Sequence, residues 1–170
     1  MAGMLGPLVW RNFDRAVRIR RTLPVGIPFQ KADGQNAWSI PSCHAVAHAF
    51  GNVFRLPVVD GEFAYIDRTK LVPRRWLREE SIDVHSSFIK HSWIRLTVEG
   101  EVEFILDVFP EELCSVFPAL FMAPHPAYYV PDEQKHRDVF AKVHQDPKVR
   151  KDTEFLTAEM RRIAEEQQLL

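Results

Sequence analysis

The chain of 170 residues has little of several features that would define its class. It holds only two cysteines, which are too few for the disulfide framework of a small secreted domain, and we expect a reducing, cytoplasmic compartment. No apolar run approaches the roughly 20 residues that a membrane-spanning helix needs, and no basic stretch precedes the short apolar run near the start. Membrane association is therefore not expected.

An excess of charge of either sign is also missing. The chain has 22 Lys plus Arg residues and 23 Asp plus Glu residues, so its formal net charge is -1. A nucleic-acid-binding domain would carry a basic field, and we therefore do not expect nucleic acid as a partner. What the chain does have is 46% hydrophobic and 26% charged residues, the balance of one globular domain over residues 1–170.

The apolar spacing after residue 42 predicts a buried helix. Ser42 is the expected N-cap, so the cysteine that follows falls in the first turn. A helix N-terminus favours the thiolate, which is the reactive form of a cysteine. The apolar positions recur at intervals of three and four residues: Cys43, Val46, Ala47, Phe50 and Phe54.

Two antiparallel strands are predicted over residues 91–97 and 101–107, and the loop between them decides which side chains face each other. A two-residue loop at residues 99–100 would mix apolar and charged side chains on one face. A three-residue loop at residues 98–100, with Gly100 in the left-handed conformation, separates the two kinds of side chain. We therefore predict the three-residue loop.

This register predicts a polar face with two cross-strand pairs. His91 lies opposite Asp107, and Arg95 lies opposite Glu103. A carboxylate beside a histidine holds the imidazole in one tautomer and stabilises its protonated form. Cys43 supplies the nucleophile, so Cys43, His91 and Asp107 are the predicted catalytic residues of acyl transfer at a thiol. We expect a His91 ring nitrogen within about 4 Å of the sulfur.

These residues, in this order, resemble the transglutaminase-like cysteine superfamily. That group includes protein-crosslinking transglutaminases, transglutaminase-like peptidases, the peptidases that process lasso-peptide precursors and the more distant arylamine N-acetyltransferases. The resemblance covers about residues 39–110. It is carried by Cys43 opening a buried helix, by Arg55 to Phe63 as helix exit and first strand, by His91-Ser-Trp93 on a second strand, and by Leu106-Asp107 on a third.

The resemblance implies a papain-like α+β fold. In that fold the helix bearing Cys43 packs on a small antiparallel sheet, and helices near both ends of the chain cover the remaining apolar surface. It also implies a Cys-His-Asp triad that acts on an amide or ester of a peptide, a protein or a small amide. Because 170 residues are few for an arylamine N-acetyltransferase or a multidomain crosslinking enzyme, we favour a peptidase or amidase. Water or an amine as acceptor is left open.

The segments outside this core are predicted more coarsely. An amphipathic helix is expected over residues 9–23, with Trp10, Phe13 and Val17 on one face, and no regular structure over residues 24–42. The remaining predictions are a charged surface excursion over residues 67–87, an extended Pro-rich segment over residues 111–131, and helices over residues 132–146 and 152–169.

An oxyanion formed during acyl transfer needs hydrogen-bond donors. The backbone N–H of Cys43 is one natural donor. Gln35, Asn36 and Trp38 shortly precede the cysteine and are candidates for a second donor or for substrate contact. Trp93 is a further substrate candidate, since it shares the predicted face with the histidine.

A metal or cofactor is not expected. His44 and His48 share a helix face at a spacing of four, but a zinc site usually needs a third protein ligand, and none of matching spacing is found. We expect these two histidines to lie beside the reactive helix, either as polar neighbours of the site or as hydrogen-bonded surface residues, and Cys114 to be a structural residue.

Two other functions stay open at the level of sequence. One is a protein-crosslinking or deamidating acyltransferase that uses the same triad. The other is a non-enzymatic binding protein that keeps the fold and contacts its partner through the face around Trp93 or the loop at residues 67–83.

Overall fold

The computed structural model describes residues 6–24, 26–64, 88–98, 102–109, 118–122, 129–131 and 145–170. Within these residues the chain forms three helices and two antiparallel sheets, so the α+β class is confirmed. In chain order the elements are α1 (Pro7–Thr22), β1 (Ile27–Gln30), β2 (Asn36–Ser39), α2 (Cys43–Phe54), β3 (Val58–Ala64), β4 (Phe88–Val98), β5 (Val102–Asp107), β6 (Ala119–Met122), β7 (Tyr129–Pro131) and α3 (Pro147–Glu166).

The larger sheet has five strands in the order β6-β5-β4-β3-β7. Every neighbouring pair is antiparallel, and β4 occupies the centre. The three helices share one apolar cluster with the even-numbered residues of the central strands, such as Ile94, Leu96 and Leu106. One face of the sheet is thus covered by helices, because alternate residues of a strand point to the same face.

The first helix forms where predicted, but a different face is buried. Trp10 is exposed. The buried residues follow one another at intervals of three and four positions: Val9, Asn12, Ala16 and Ile19. The buried Asn12 is satisfied because its amide donates to the Leu8 carbonyl and its side-chain oxygen accepts from Arg15. A polar residue with both groups bonded can be buried, which the apolar pattern alone could not indicate.

The second helix begins and ends as the sequence predicts. Ser42 is the N-cap, and its hydroxyl accepts from the Ala45 N–H at 3.2 Å. The helix ends at Arg55, which has a φ of 54°. Gly51 lies where the helix approaches β3, since a Cβ there would lie 2.5 Å from a Val58 methyl carbon. The small residue therefore permits close packing of α2 on the sheet.

The hairpin of β4 and β5 is confirmed, but its predicted register is wrong by two residues. Val98 faces Val102, and Arg95 faces Ile105 instead of Glu103. Val98 is β-branched and favours the extended conformation, so it lies in the strand and not in the loop. Because the error is an even number of residues, the two faces of the hairpin keep the predicted side chains. His91 reaches its carboxylate partner diagonally and not directly across.

The prediction of no regular structure over residues 24–42 is wrong. β1 and β2 pair there, with Ile27 opposite Ser39 and Gln30 opposite Asn36. Gly34, with a φ of 80°, provides the left-handed residue of the connecting turn. Pro28 is compatible with a strand here because a two-stranded sheet has only edge strands, where the missing N–H is tolerated.

The last part of the chain agrees in part with the predictions. α3 begins at Pro147, five residues before the predicted start, because Asp146 caps it by accepting from the Lys148 N–H at 2.7 Å. β6 and β7 lie within the segment predicted to be extended. The predicted excursion at 67–87 and most of the predicted helix at 132–146 lie outside the described residues. None of the helices within the described ranges is apolar over a length that would cross a bilayer.

Candidate functional site

The most deeply buried polar contact between two described side chains joins His91 to Asp107. His91 Nε2 lies 2.6 Å from Asp107 Oδ2, and the two side chains are 0% and 1% exposed. The other carboxylate oxygen accepts from the Phe109 N–H at 3.1 Å, which fixes the orientation of Asp107. Because Nε2 donates to the carboxylate, Nδ1 carries the lone pair when the ring is neutral.

Trp93 lies beside this pair on the same face of β4. Its ring is stacked on the His91 ring with centroids 6.3 Å apart and an interplanar angle of 25°. The side chain is only 2% exposed, so it does not offer a surface to a partner protein. The structure thus places Trp93 as a wall of the imidazole site.

A positive charge lies near the end of β5. The Arg20 guanidinium carbon is 4.6 Å from the centroid of the Phe109 ring, in cation–π geometry. Burial lowers the pKa of Arg20 from its ordinary value. The side chain nevertheless keeps its charge at neutral pH, because the pKa of arginine lies far above 7.

Cys43 is the first residue of α2. The residue is only 8% exposed and counts among the buried apolar residues of the structure. The positive end of the helix dipole acts at this residue. The structure therefore places the predicted nucleophile at a helix N-terminus, in a buried position.

A chain of polar contacts joins the first turns of α2 to the sheet. His44 Nδ1 lies 2.5 Å from Ser92 Oγ, and the Ser92 hydroxyl donates to Asp60 Oδ1. His48 Nε2 lies 3.0 Å from the same oxygen of Asp60. Asp60 and Ser92 face each other across β3 and β4, so both point towards the helix. We call these four residues the helix-side relay.

The relay fixes the tautomer of its first histidine. A serine hydroxyl has one proton, and Ser92 donates it to Asp60. The contact with His44 must then be a donation from Nδ1–H to the serine oxygen. In the neutral ring the Nε2 atom of His44 therefore carries the lone pair. Both histidines form hydrogen bonds, and His44 is buried, so it is not a surface residue.

Two of the three predicted catalytic residues are chain neighbours of the same contact between helix and strand. Cys43 precedes His44 in α2, and His91 precedes Ser92 in β4. Successive side chains of a strand point to opposite faces, so His91 projects from the face opposite the one that α2 covers. The structure brings His91 and Asp107 together, while the approach of the Cys43 sulfur to the His91 ring stays a prediction.

The other predicted site residues lie on the β1–β2 hairpin. Gln35 is in the turn, where its N–H donates to Asp33 Oδ1, and Asn36 begins β2. Trp38 lies nearer to α2 in the chain and is 68% exposed. Gln35 and Asn36 are seven or eight residues before Cys43 in the chain, and Trp38 is five residues before it.

Sequence analysis missed Ser92 and Asp60 as site residues. Each is a polar residue on a strand face that also carries an apolar residue two positions away. Ile94 follows Ser92 on β4, and Val58 precedes Asp60 on β3. That interruption of an apolar face is the signal that could have found them. The pairing of β3 with β4 was also needed, and it joins segments separated by residues 65–87.

No metal site was found: within the described ranges no group of three or more His, Cys, Asp and Glu side chains is arranged to hold an ion. Comparison of the chain with protein-family models, curated proteins and solved structures found no match. The functional assignment therefore depends on the geometry of the site itself.

Proposed function

We propose that this protein is a cysteine-dependent acyl-transfer enzyme that hydrolyses an amide or ester, as a peptidase or amidase of the transglutaminase-like type. The observation that carries the proposal is the buried contact of 2.6 Å between His91 Nε2 and Asp107 Oδ2. A buried imidazole with an orientated carboxylate is the arrangement that general-base catalysis needs.

In the first step the Cys43 sulfur, at the N-terminal end of α2, reaches the face of the sheet that carries His91, where Nδ1 removes its proton and Asp107 stabilises the imidazolium that forms. The Cys43 sulfur attacks the substrate carbonyl carbon, and the oxygen takes up the electron pair. The backbone N–H of Cys43 donates to this oxyanion at the helix N-terminus. The bond to the leaving amine or alcohol then breaks, and the leaving group takes the proton from His91.

In the second step water attacks the thioester carbonyl carbon of the acyl-enzyme. His91 removes a proton from the water, and the bond from carbon to sulfur breaks. The carboxylic acid leaves, and the proton held by His91 returns to the sulfur. An amine in place of water would give the crosslinking reaction through the same residues. A primary amide of glutamine as substrate with water as acceptor would give deamidation.

The alternative of a non-enzymatic binding protein depended on two contact surfaces, the face around Trp93 and the loop at residues 67–83. The face around Trp93 is buried, so its ring is not exposed to a partner. The loop at residues 67–83 lies outside the described residues. No specific contact of the described residues favours this function over acyl transfer, and the following experiment tests it directly.

Single-turnover kinetics with a p-nitrophenyl ester tests the proposal. Wild type should release about one equivalent of nitrophenol in a burst and carry the acyl group on Cys43, as located by mass spectrometry. Cys114→Ala is the matched control, because it removes the other thiol and should keep the burst. Cys43→Ala should abolish the burst. An equal burst from Cys43→Ala, or native Cys43 that is alkylated no faster than Cys114, would contradict the proposal.

A further inference from the structure

An apolar cavity of about 430 Å³ lies at the base of the β1–β2 hairpin. Its volume is within the range of about 300 to 1,000 Å³ that small-molecule sites occupy. Apart from one serine, the described lining consists of apolar residues and none of them carries a charge: Pro24, Gly26, Trp38, Ser39 and Ile40. Such a cavity suits an uncharged, apolar group.

The main walls of the cavity are large side chains that the fold leaves in water. Trp38 is 68% exposed and Ile40 is 70% exposed. Single exposed apolar residues are common, but these two line the same cavity and together give it apolar walls that a ligand can contact. The hairpin is instead anchored by Ile27, which is buried in the main apolar cluster. Packing of the fold therefore does not account for Trp38 and Ile40.

The cavity is close to the predicted nucleophile. Ile40 precedes Cys43 by three residues, and a chain segment of that length spans at most about 11 Å. The intervening Pro41 is buried, so this connection is held against the protein. A substrate whose carbonyl carbon lies at the Cys43 sulfur can therefore place a side chain in the cavity.

We infer that this cavity is the subsite for an apolar side chain, aromatic or branched aliphatic, on the acyl half of the substrate. The inference rests on the proposed function. The acyl half is the part that becomes attached to Cys43, so it stays within reach of the cavity through both chemical steps. Trp38 then acts as the specificity-determining residue, because an indole ring offers a large apolar surface to the side chain. Ile40 forms the second apolar wall.

The test compares the p-nitrophenyl esters of N-acetylphenylalanine and N-acetylglycine, which share the leaving group. Burial of a benzyl side chain should raise kcat/KM for the phenylalanine ester over the glycine ester roughly 10- to 100-fold in wild type. Trp38→Ala should reduce this preference at least fivefold. The matched control is Phe29→Ala, which removes another exposed aromatic ring of the same hairpin that does not line the cavity and should keep the preference.

Ile40→Thr is a second variant and should also lower the preference, and circular dichroism shows that each variant folds. The inference is overturned if wild type does not discriminate between the esters, or if Trp38→Ala and Phe29→Ala change the preference equally. Failure of the proposed function looks different, since neither ester would then acylate Cys43. In that case N-acetylphenylalaninamide should still quench the tryptophan fluorescence of wild type more than N-acetylglycinamide does, and Trp38→Ala should remove this difference. Equal quenching of wild type by the two amides would overturn the subsite as well.

Discussion

The two faces of the central sheet hold the same kinds of groups in different arrangements. On one face His91 contacts Asp107 directly, and both side chains are buried. On the other face the Ser92 hydroxyl connects His44 to Asp60, and Asp60 with His48 is partly exposed. Because buried ionic contacts are screened less by water than exposed ones, the direct pair has the stronger electrostatic coupling.

The difference indicates different roles for the two imidazoles. A direct carboxylate partner stabilises a histidine that gains and loses a proton during a reaction, as we propose for His91. The helix-side relay spreads its contacts over α2, β3 and β4, so its main effect is to hold the first turns of α2 on the sheet. The relay therefore determines where the Cys43 backbone lies relative to the strand that carries His91.

Removal of the His91 imidazole is expected to have the largest effect on the acylation rate. It tests directly whether the two faces of the sheet have different roles. His91→Ala should slow acylation of Cys43 roughly 10⁴-fold, nearly as much as Cys43→Ala, because few thiols ionise at neutral pH without a base or cationic partner. Single-turnover kinetics on a p-nitrophenyl ester measures the loss. The matched variant His44→Ala should slow acylation much less. A larger loss in His44→Ala than in His91→Ala would assign the base to the helix-covered face.

Asp107→Asn is expected to have the next largest effect. The substitution keeps the shape of the side chain but removes the charge that stabilises the imidazolium and can favour the wrong tautomer, so we expect a loss of roughly 10² to 10⁴ in kcat. Asp60→Asn is the matched variant on the other face and should lower kcat less. The measurement is kcat from pH 6 to 8. A folded Asp107→Asn with full activity across this range would reduce the triad to Cys43 and His91.

Ser92→Ala should act on stability because it interrupts the helix-side relay. Loss of the hydroxyl removes the acceptor of the His44 Nδ1–H and one donor to Asp60, and we expect the free energy of unfolding to fall by roughly 1 to 3 kcal/mol. Urea denaturation measures the change. Thr97→Ala is the control on the same strand, since Thr97 is exposed and its loss should change stability by at most about 0.5 kcal/mol. Equal values for both variants would contradict an anchoring role of the relay.

The smallest effect is expected at the second ion pair of the hairpin, which isolates the contribution of burial. Arg95 Nη2 lies 3.1 Å from Glu103 Oε2. The two residues are offset across β4 and β5 in the same way as His91 and Asp107, but both side chains are partly exposed. Arg95→Gln should therefore lower the free energy of unfolding by at most about 1 kcal/mol, and added salt should reduce the difference. A double-mutant cycle with Glu103→Gln measures the pair, and a coupling energy above 2 kcal/mol would show that exposure does not weaken it.

The sequence predicted the faces of the β4–β5 hairpin better than its register. Alternation has a period of two, so the pattern of apolar residues excludes a slip of one residue but allows a slip of two. His91 and Asp107 remain on one face in either register and can meet directly across or diagonally. The contact was therefore predictable, although the residue directly opposite His91 was not.

Local patterns also failed in the segment before α2. The prolines and glycines that predicted an irregular segment are compatible with a short hairpin, because Pro28 lies on an edge strand and Gly34 makes the turn. The relay was beyond local patterns for a different reason. Ser92 and Asp60 meet only through a pairing between distant segments, and the spacing of residues along the chain does not encode such a contact.

Gly51 allows α2 to pack close to β3, and the contacts of the helix-side relay depend on this close packing. An added Cβ would lie 3.0 Å from the Leu56 carbonyl oxygen as well as against Val58, so any larger residue forces the helix away from β3. His44 lies seven residues earlier on the same rigid helix, roughly 10 Å along its axis. A shift of about 1 Å there would lengthen the 2.5 Å contact between His44 Nδ1 and Ser92 Oγ beyond the upper limit of about 3.2 Å for a good N–H···O hydrogen bond. The absence of a side chain at residue 51 thus helps to fix the position of Cys43, about two helical turns away, relative to the sheet.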